Sequence, residues 1–319
     1  MISFEAESSS VAMFHAAENN LMKRKSIFLI LSVLLLINHP VEQAAARKRE
    51  GALILSGAAG TSRESFGAGV LERFVALAGG PDANFVYIPT ASSGIKLDSG
   101  FIYTPPDSDL EADNTREFEV ELAKMFGVKR IRILHTRHRA TANTENFVAP
   151  LRKADGVWIS GGNSGRLADT YLDTLTHREI KAVFERGGVV GGNSAGAIIQ
   201  GSFIVRGRAD KPVLMAKGHE RGFGFLKQAV VNPHLIAAKR EDELVNVLDA
   251  HPELLGIGID ERAAILVRGN QFEVLGESKV AIYDNRKHEN KWYYWLTPGT
   301  VFNLRTRAVM PRPTAAQVF

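Results

Sequence analysis

Short apolar runs closed by glycine or proline alternate with segments of helical spacing through most of the chain. Residues Ala52–Ser56 (ALILS) run into Gly57-Ala58-Ala59-Gly60, which predicts a buried strand and a glycine-rich turn. A helix is expected over 66–79, and Phe85–Ile88 (FVYI) reads as a second strand stopped by Pro89. Residues 91–114, rich in Ser, Asp, Gly and Pro, read as a long loop. Phe118, Leu122 and Phe126 give 115–127 a helical spacing, and Arg130–Leu134 reads as a third strand. Gly156–Ser160 (GVWIS) predicts a fourth strand ending in Gly161-Gly162-Asn163, with one or two helices over 164–186. Gly188–Gly191 is a short fifth strand, Ala195–Gln200 begins a helix, and Ala229–Val231 is a strand before a helix over 238–250.

From residue 255 the pattern changes to short strands at Gly256–Ile259, Ala264–Val267, Phe272–Leu275, Val280–Ile282, Trp292–Leu296 and Val301–Leu304. Strands that are apolar throughout, alternating with helices, argue for a parallel sheet covered on both faces. The expected fold class is α/β: a three-layer sandwich with a mostly parallel central sheet, to which the late strands add antiparallel members near the C-terminus.

The N-terminus has a different character. Lys23-Arg24-Lys25 is basic, Ile27 to Ile37 is almost unbroken apolar sequence, and Ala44-Ala45-Ala46 offers a small-residue cleavage site. This is the layout of a secretory signal peptide. As a helix the apolar run spans about 16 Å, short of a bilayer core of roughly 30 Å. The alternative is an uncleaved membrane anchor. Residues 1–21 lie ahead of the leader, and Met22, beside the basic region, is the start that a signal peptide predicts. The expected organisation is therefore an extension and leader over 1–46, then a single catalytic α/β domain over 47–319, secreted or periplasmic.

Composition narrows the chemistry. The chain is 45% hydrophobic and 23% charged with a formal charge of +4, an ordinary globular balance. Basic and acidic residues are interspersed, as in Lys239-Arg240-Glu241-Asp242-Glu243, and no basic stripe suggests a nucleic-acid partner. There are no cysteines, which removes disulfides, zinc–thiolate sites and a cysteine nucleophile. No histidine pair has ligand spacing, so neither a metal nor a cofactor is implied. A homodimer is compatible with the sequence.

Gly192-Asn193-Ser194-Ala195-Gly196 fits G-x-S-x-G between an apolar strand and a helix of small residues. That context predicts a nucleophile elbow, a strained turn that lifts the serine hydroxyl above the sheet. The alternative is a serine that caps a helix. In an elbow the Ala195 N–H points at the developing oxyanion, and the turn at Gly162-Asn163 could supply a second donor; the alternative for that turn is a tight turn that caps a helix, with Ser164 as the cap. Four histidines come after the elbow: His219, His234, His251 and His288. Only His234 directly follows an apolar strand (AVVNPH), the edge where open parallel sheets place their sites. Asp260 and Glu261 follow the strand GIGI and are both candidates for the acid that orients the base.

Together, Gly191–Ala197 (GGNSAGA), Gly161-Gly162-Asn163, His234, Gly256–Glu261 (GIGIDE) and Val86–Ser92 (VYIPTAS) resemble the cyanophycinase and dipeptidase E family of serine peptidases. The resemblance covers roughly residues 50–285. It implies a fold similar to class I glutamine amidotransferase domains and a triad of Ser194, His234 and Glu261. In the dipeptidase E branch the acid lies between serine and histidine, where Asp210 is the candidate. It implies a peptide substrate, an aspartyl peptide bond, α- or β-linked. The chain departs from the cyanophycinase pattern near the histidine. Asn232-Pro233-His234-Leu235 stands for Asp-Gln-His-Phe, Ala238 and Glu243 stand where arginines are expected, and Arg240 alone remains to bind substrate. Ser164 replaces a glutamine. The resemblance thus implies that the catalytic frame is kept, and that the arginines with which cyanophycinases grip an arginine-rich aspartate polymer are not. Two other readings remain: an esterase of the α/β-hydrolase type with His288 as base, and an inactive secreted binding domain.

Overall fold

A computed structural model of the chain describes residues 50–107, 114–205 and 220–311. The leader and extension over 1–46, with Asp210 and His219, lie outside the described residues.

The apolar runs form the parallel half of a nine-stranded sheet. Strand β1 (Ala52–Ser56), β2 (Phe85–Ile88), β5 (Ile131–Ile133), β6 (Gly156–Ile159) and β7 (Val189–Asn193) stand in the order β1-β7-β6-β2-β5 and pair in parallel. Every residue of β1, β2, β6 and β7 is buried, as a sheet covered on both faces requires. The two faces feed separate cores. Leu53, Leu55 and Val157 point into one, and Ala52, Ile54 and Trp158 into the other. The second core takes the apolar faces of α1 (Val70–Ala78) and α2 (Thr115–Phe126). Trp158, fully buried there, meets the rings of Phe66, Phe74 and Phe126 edge-on with centroids 5.0 to 5.6 Å apart. Such pairs each contribute about 0.5–1.5 kcal/mol beyond area burial. The opposite face is covered by α3 (Glu145–Arg152), α4 (Ser164–Tyr171), α5 (Leu175–Glu185) and the short α6 (Ala195–Ile198).

The late strands are antiparallel where they extend the large sheet. β11 (Ala263–Arg268), β12 (Gln271–Gly276), β15 (Val301–Asn303) and β16 (Ala308–Val309) continue it beyond β1. The remaining strands form a second, five-stranded sheet. It comprises β8 (Gly201–Phe203), β9 (Leu226–Pro233), β10 (Leu255–Ile259), β13 (Val280–Tyr283) and β14 (Tyr294–Leu296), in the order β14-β13-β10-β9-β8. Its inner face packs Val231, Ile257 and Ile282 into the first core, and its outer face packs Val230, Ala281 and Tyr283 against α7 (Glu243–Ala250).

Several boundaries differ from the sequence expectation for identifiable reasons. The helix expected from 66 begins at Val70, because Gly67 and Gly69 hold left-handed backbone (φ 86° and 76°). The expected loop over 91–114 contains a hairpin, β3 (Ile95–Lys96) with β4 (Ile102–Tyr103), pinned by Tyr103 stacking on Phe118 at 4.1 Å. The helix expected from 238 starts at Glu243, since residues after His234 form a turn in which Arg240 N–H donates to Leu235 C=O.

Candidate active site

The turn after β7 is built by close backbone packing. A Cβ on Gly192 would come within 2.5 Å of Gly196 O, and one on Gly196 within 2.0 Å of Ile159 O, so only glycine lets β6, β7 and α6 approach this closely. Ser194, between them, sits at φ 51° and ψ −115°. That is sparsely populated backbone for a residue with a Cβ and stores on the order of 1–3 kcal/mol. The turn is held in place by Ser194 N–H donating to Ser56 O at 3.1 Å, and by Ala197 and Ile198 N–H donating to Ser194 O. Buried Asn193 braces it from behind: its Oδ1 accepts from Trp158 Nε1 at 3.2 Å, and its Nδ2 donates to Ala58 O at 3.3 Å.

His234 and Glu261 reach the serine from the other sheet. β9 and β10 run parallel with Pro233 opposite Ile259, so the residues just past each strand leave the sheet side by side. His234 Nε2 lies 2.8 Å from Ser194 Oγ, and its Nδ1 lies 3.2 Å from Glu261 Oε1. Asp260 faces elsewhere. It is buried, and its Oδ1 accepts from Ile236 N–H at 2.9 Å and Ala237 N–H at 3.1 Å, while Oδ2 accepts from Ser278 Oγ at 2.7 Å. Burial pushes the Glu261 carboxyl above the ordinary glutamate range, the neighbouring Asp260 charge pushes it further, and Arg240 opposes both. Arg240 Nη1 donates to Pro233 O at 3.2 Å, so this arginine lies behind the histidine turn, tied to its backbone.

Beside Ser194 opens a cleft of about 450 Å³ between the loop at 59–61, the segment 91–96 and the turn 160–163. Gly162 has φ 136°, and a Cβ there would meet Ala91 O at 2.2 Å. Asn163 departs from the role expected of it. Its N–H donates to Ala91 O at 2.9 Å, and its side chain caps α4 by accepting from Gly165 and Arg166 N–H. Its N–H and its Oδ1 are thus bound within the fold, and Gly162 is left as that turn's candidate oxyanion donor. Ser164, which the sequence offers as a cap for this helix, is instead its first residue, and Asn163 is the cap.

The other candidates are engaged away from the serine. His288 Nε2 lies 2.8 Å from Asp284 and its ring packs on Tyr294, and His251 sits against Phe203 beside Glu253. Glu243, standing where an arginine was expected, accepts from Asn232 Nδ2 at 3.0 Å. Among the described residues no cluster of His, Asp and Glu could hold a metal, and no helix is long and apolar enough to cross a membrane.

Sequence reasoning does not single out Arg166 and Lys96, the two cations that line the cleft. Arg166 is the third residue of α4 after the Gly-Gly-Asn turn, and that spacing is the available signal. Lys96 carries none, because the hairpin that delivers it has the polar sequence of a loop.

A profile of peptidase family S51 matches residues 52–275. A cyanophycinase from Geminocystis herdmanii is 28% identical over 242 residues, covering 75% of this chain and 82% of the relative. A peptidase E from Pasteurella multocida is 27% identical over 195 residues, covering 59% and 78%. Among solved structures, a peptidase from an acI-B1 actinobacterium superposes with a TM-score of 0.58 at 25% identity, covering 80% of this chain and 98% of that one.

Proposed function

The chain belongs to peptidase family S51 and is a serine-type peptidase, and we propose that it cleaves an aspartyl peptide bond, α- or β-linked, by acyl transfer to Ser194. The observation that carries this reading is the 2.8 Å approach of His234 Nε2 to Ser194 Oγ, with Glu261 at the far ring nitrogen. In the proposed cycle His234 takes the hydroxyl proton as Ser194 Oγ attacks the carbonyl carbon. Glu261 fixes the tautomer and compensates the imidazolium charge. The oxyanion is received by the N–H groups of Ala195 and Gly162, each such donor being worth about 3–4 kcal/mol. Collapse of the tetrahedral intermediate expels the amine, which takes the proton from His234. Water then hydrolyses the acyl-enzyme by the same route.

The cations Arg166 and Lys96 beside the serine favour a substrate carrying a carboxylate near the scissile bond. The relatives named cyanophycinase suggest an arginine-rich aspartate polymer, but Ala238 and Glu243 replace expected arginines, and Glu243 binds Asn232. Short aspartyl peptides are therefore the proposed substrates. The purified chain should hydrolyse α- or β-linked aspartyl dipeptides with a higher kcat/KM than cyanophycin. Faster release from cyanophycin than from every aspartyl dipeptide would overturn the substrate assignment.

The proposal includes export. The segment Lys23–Ala46 motivates a mature N-terminus near Arg47. N-terminal sequencing of secreted or periplasmic chain should find it there, and a soluble cytosolic chain that keeps the segment would contradict it.

A further inference from the structure

We propose that Asp260 is a positioning residue of this site, whose carboxylate sets the His234 ring by clamping the amides of Ile236 and Ala237, just beyond the histidine. The proposal rests on the Ser194–His234 reading and deepens it.

His234 is the last point at which the sheet controls the chain. Pro233 still pairs with Ile259, but His234 turns into left-handed backbone at φ 59°, and the chain then folds back on itself. A histidine in that conformation persists only where the surrounding structure holds it, and here residues 235–238 do so. Three contacts fix them. Leu235 fills the space above Gly258, where a Cβ would meet its side chain at 2.6 Å. Ala238 N–H donates to His234 O at 2.9 Å and closes the turn. Asp260 Oδ1 accepts from both Ile236 and Ala237 N–H, which ties the turn to a carboxylate at the end of β10.

The clamp is itself fixed. Asp260 Oδ2 accepts from Ser278 Oγ, and the Asp260 N–H donates to Lys279 O at 3.2 Å, so the carboxylate cannot swing without breaking contacts with the segment before β13. An ionised acceptor shared by two amides is roughly twice as strong as a neutral one. The residue that Asp260 holds through the backbone and the residue that Glu261 holds through the ring are the same histidine. The two adjacent carboxylates thus define both ends of His234.

The charges facing the Glu261 carboxyl are His234 on the turn after β9, Arg240 on the same turn, and Asp260 beside it. Taking away the Asp260 charge lowers the pH at which the Glu261 carboxyl takes up a proton, because one of the two influences that raise it is gone.

The test compares D260A and D260N with the unaltered chain on an aspartyl dipeptide, over pH. D260A removes the clamp and should lower kcat on the order of 100-fold, as a displacement of the base by about 1 Å does, with KM little changed. D260N keeps an oxygen acceptor for the two amides and should recover most of kcat. The acidic limb of its kcat/KM profile should move to lower pH. A D260N variant with an unmoved acidic limb, or a D260A variant with unchanged kcat, would overturn the proposal. If D260A does not fold, the D260N profile decides alone. The S194A control separates the two claims: turnover surviving in S194A defeats the peptidase mechanism, whereas loss in S194A with unaffected Asp260 variants defeats only this inference.

Discussion

Asp260 and Glu261 share a chemistry and a strand end, yet one grips backbone and the other a ring nitrogen. Side-chain alternation could not separate them, since it applies within a strand and β10 ends at Ile259. The resemblance to known peptidases favours Glu261, and the geometry sets that residue at His234 Nδ1. The position is unfavourable for the carboxylate itself. Burial first, then Asp260, raises Glu261 above its ordinary range. For a raised carboxyl the folded state disfavours ionisation. The penalty is absent below the ordinary glutamate range, appears as pH rises through it, and is complete above the raised folded value. Glu261→Gln removes that penalty while spoiling the orientation of His234. It should therefore lose activity yet melt at the same or a higher temperature than the unaltered chain at pH 7, the difference closing in acid. Thermal unfolding at the two pH values checks this, and a lower melting temperature for Glu261→Gln at pH 7 would show that the carboxylate stabilises the fold.

At the scale of elements, the elbow was legible because its requirements are local. An apolar strand, flanking glycines and a helix of small residues occupy consecutive positions, and each glycine answers a backbone oxygen within 2.5 Å of where a Cβ would stand. The histidine was legible through the strand before it. The turn after His234 was not, because residues 234–240 have helical composition and two of their amides bond to Asp260, a residue distant in sequence. The hairpin of β3 and β4 was hidden for a similar reason. Its polar sequence reads as loop, and only burial of Ile95 and Tyr103 against the α2 side of the sheet makes it a structural element that carries Lys96 to the cleft. At the turn after β6 the expected cap was Ser164, whereas the Asn163 side chain satisfies the first amides of α4.

On the scale of the whole molecule, the site joins two sheets. Ser194 stands at the end of a strand in the nine-stranded sheet, and His234 and Glu261 at the ends of neighbouring strands in the five-stranded one. The parallel half was readable from apolar runs. The partition of the late strands was not, because β10 leaves β11, its neighbour in sequence, to pair with β9 and β13. Their shared core, with Val190 and Ile159 from one sheet and Val231 and Ile257 from the other, makes the distances among Ser194, His234 and Glu261 a property of the packing between sheets. In the proposed mechanism this packing arms one serine. Incubation with a fluorophosphonate, followed by peptide mapping by mass spectrometry, tests it most directly. The expected result is a single adduct, on Ser194, formed in step with loss of peptidase activity and slowed by orders of magnitude in His234→Ala. An adduct on another residue, or full inactivation with Ser194 unmodified, would contradict it.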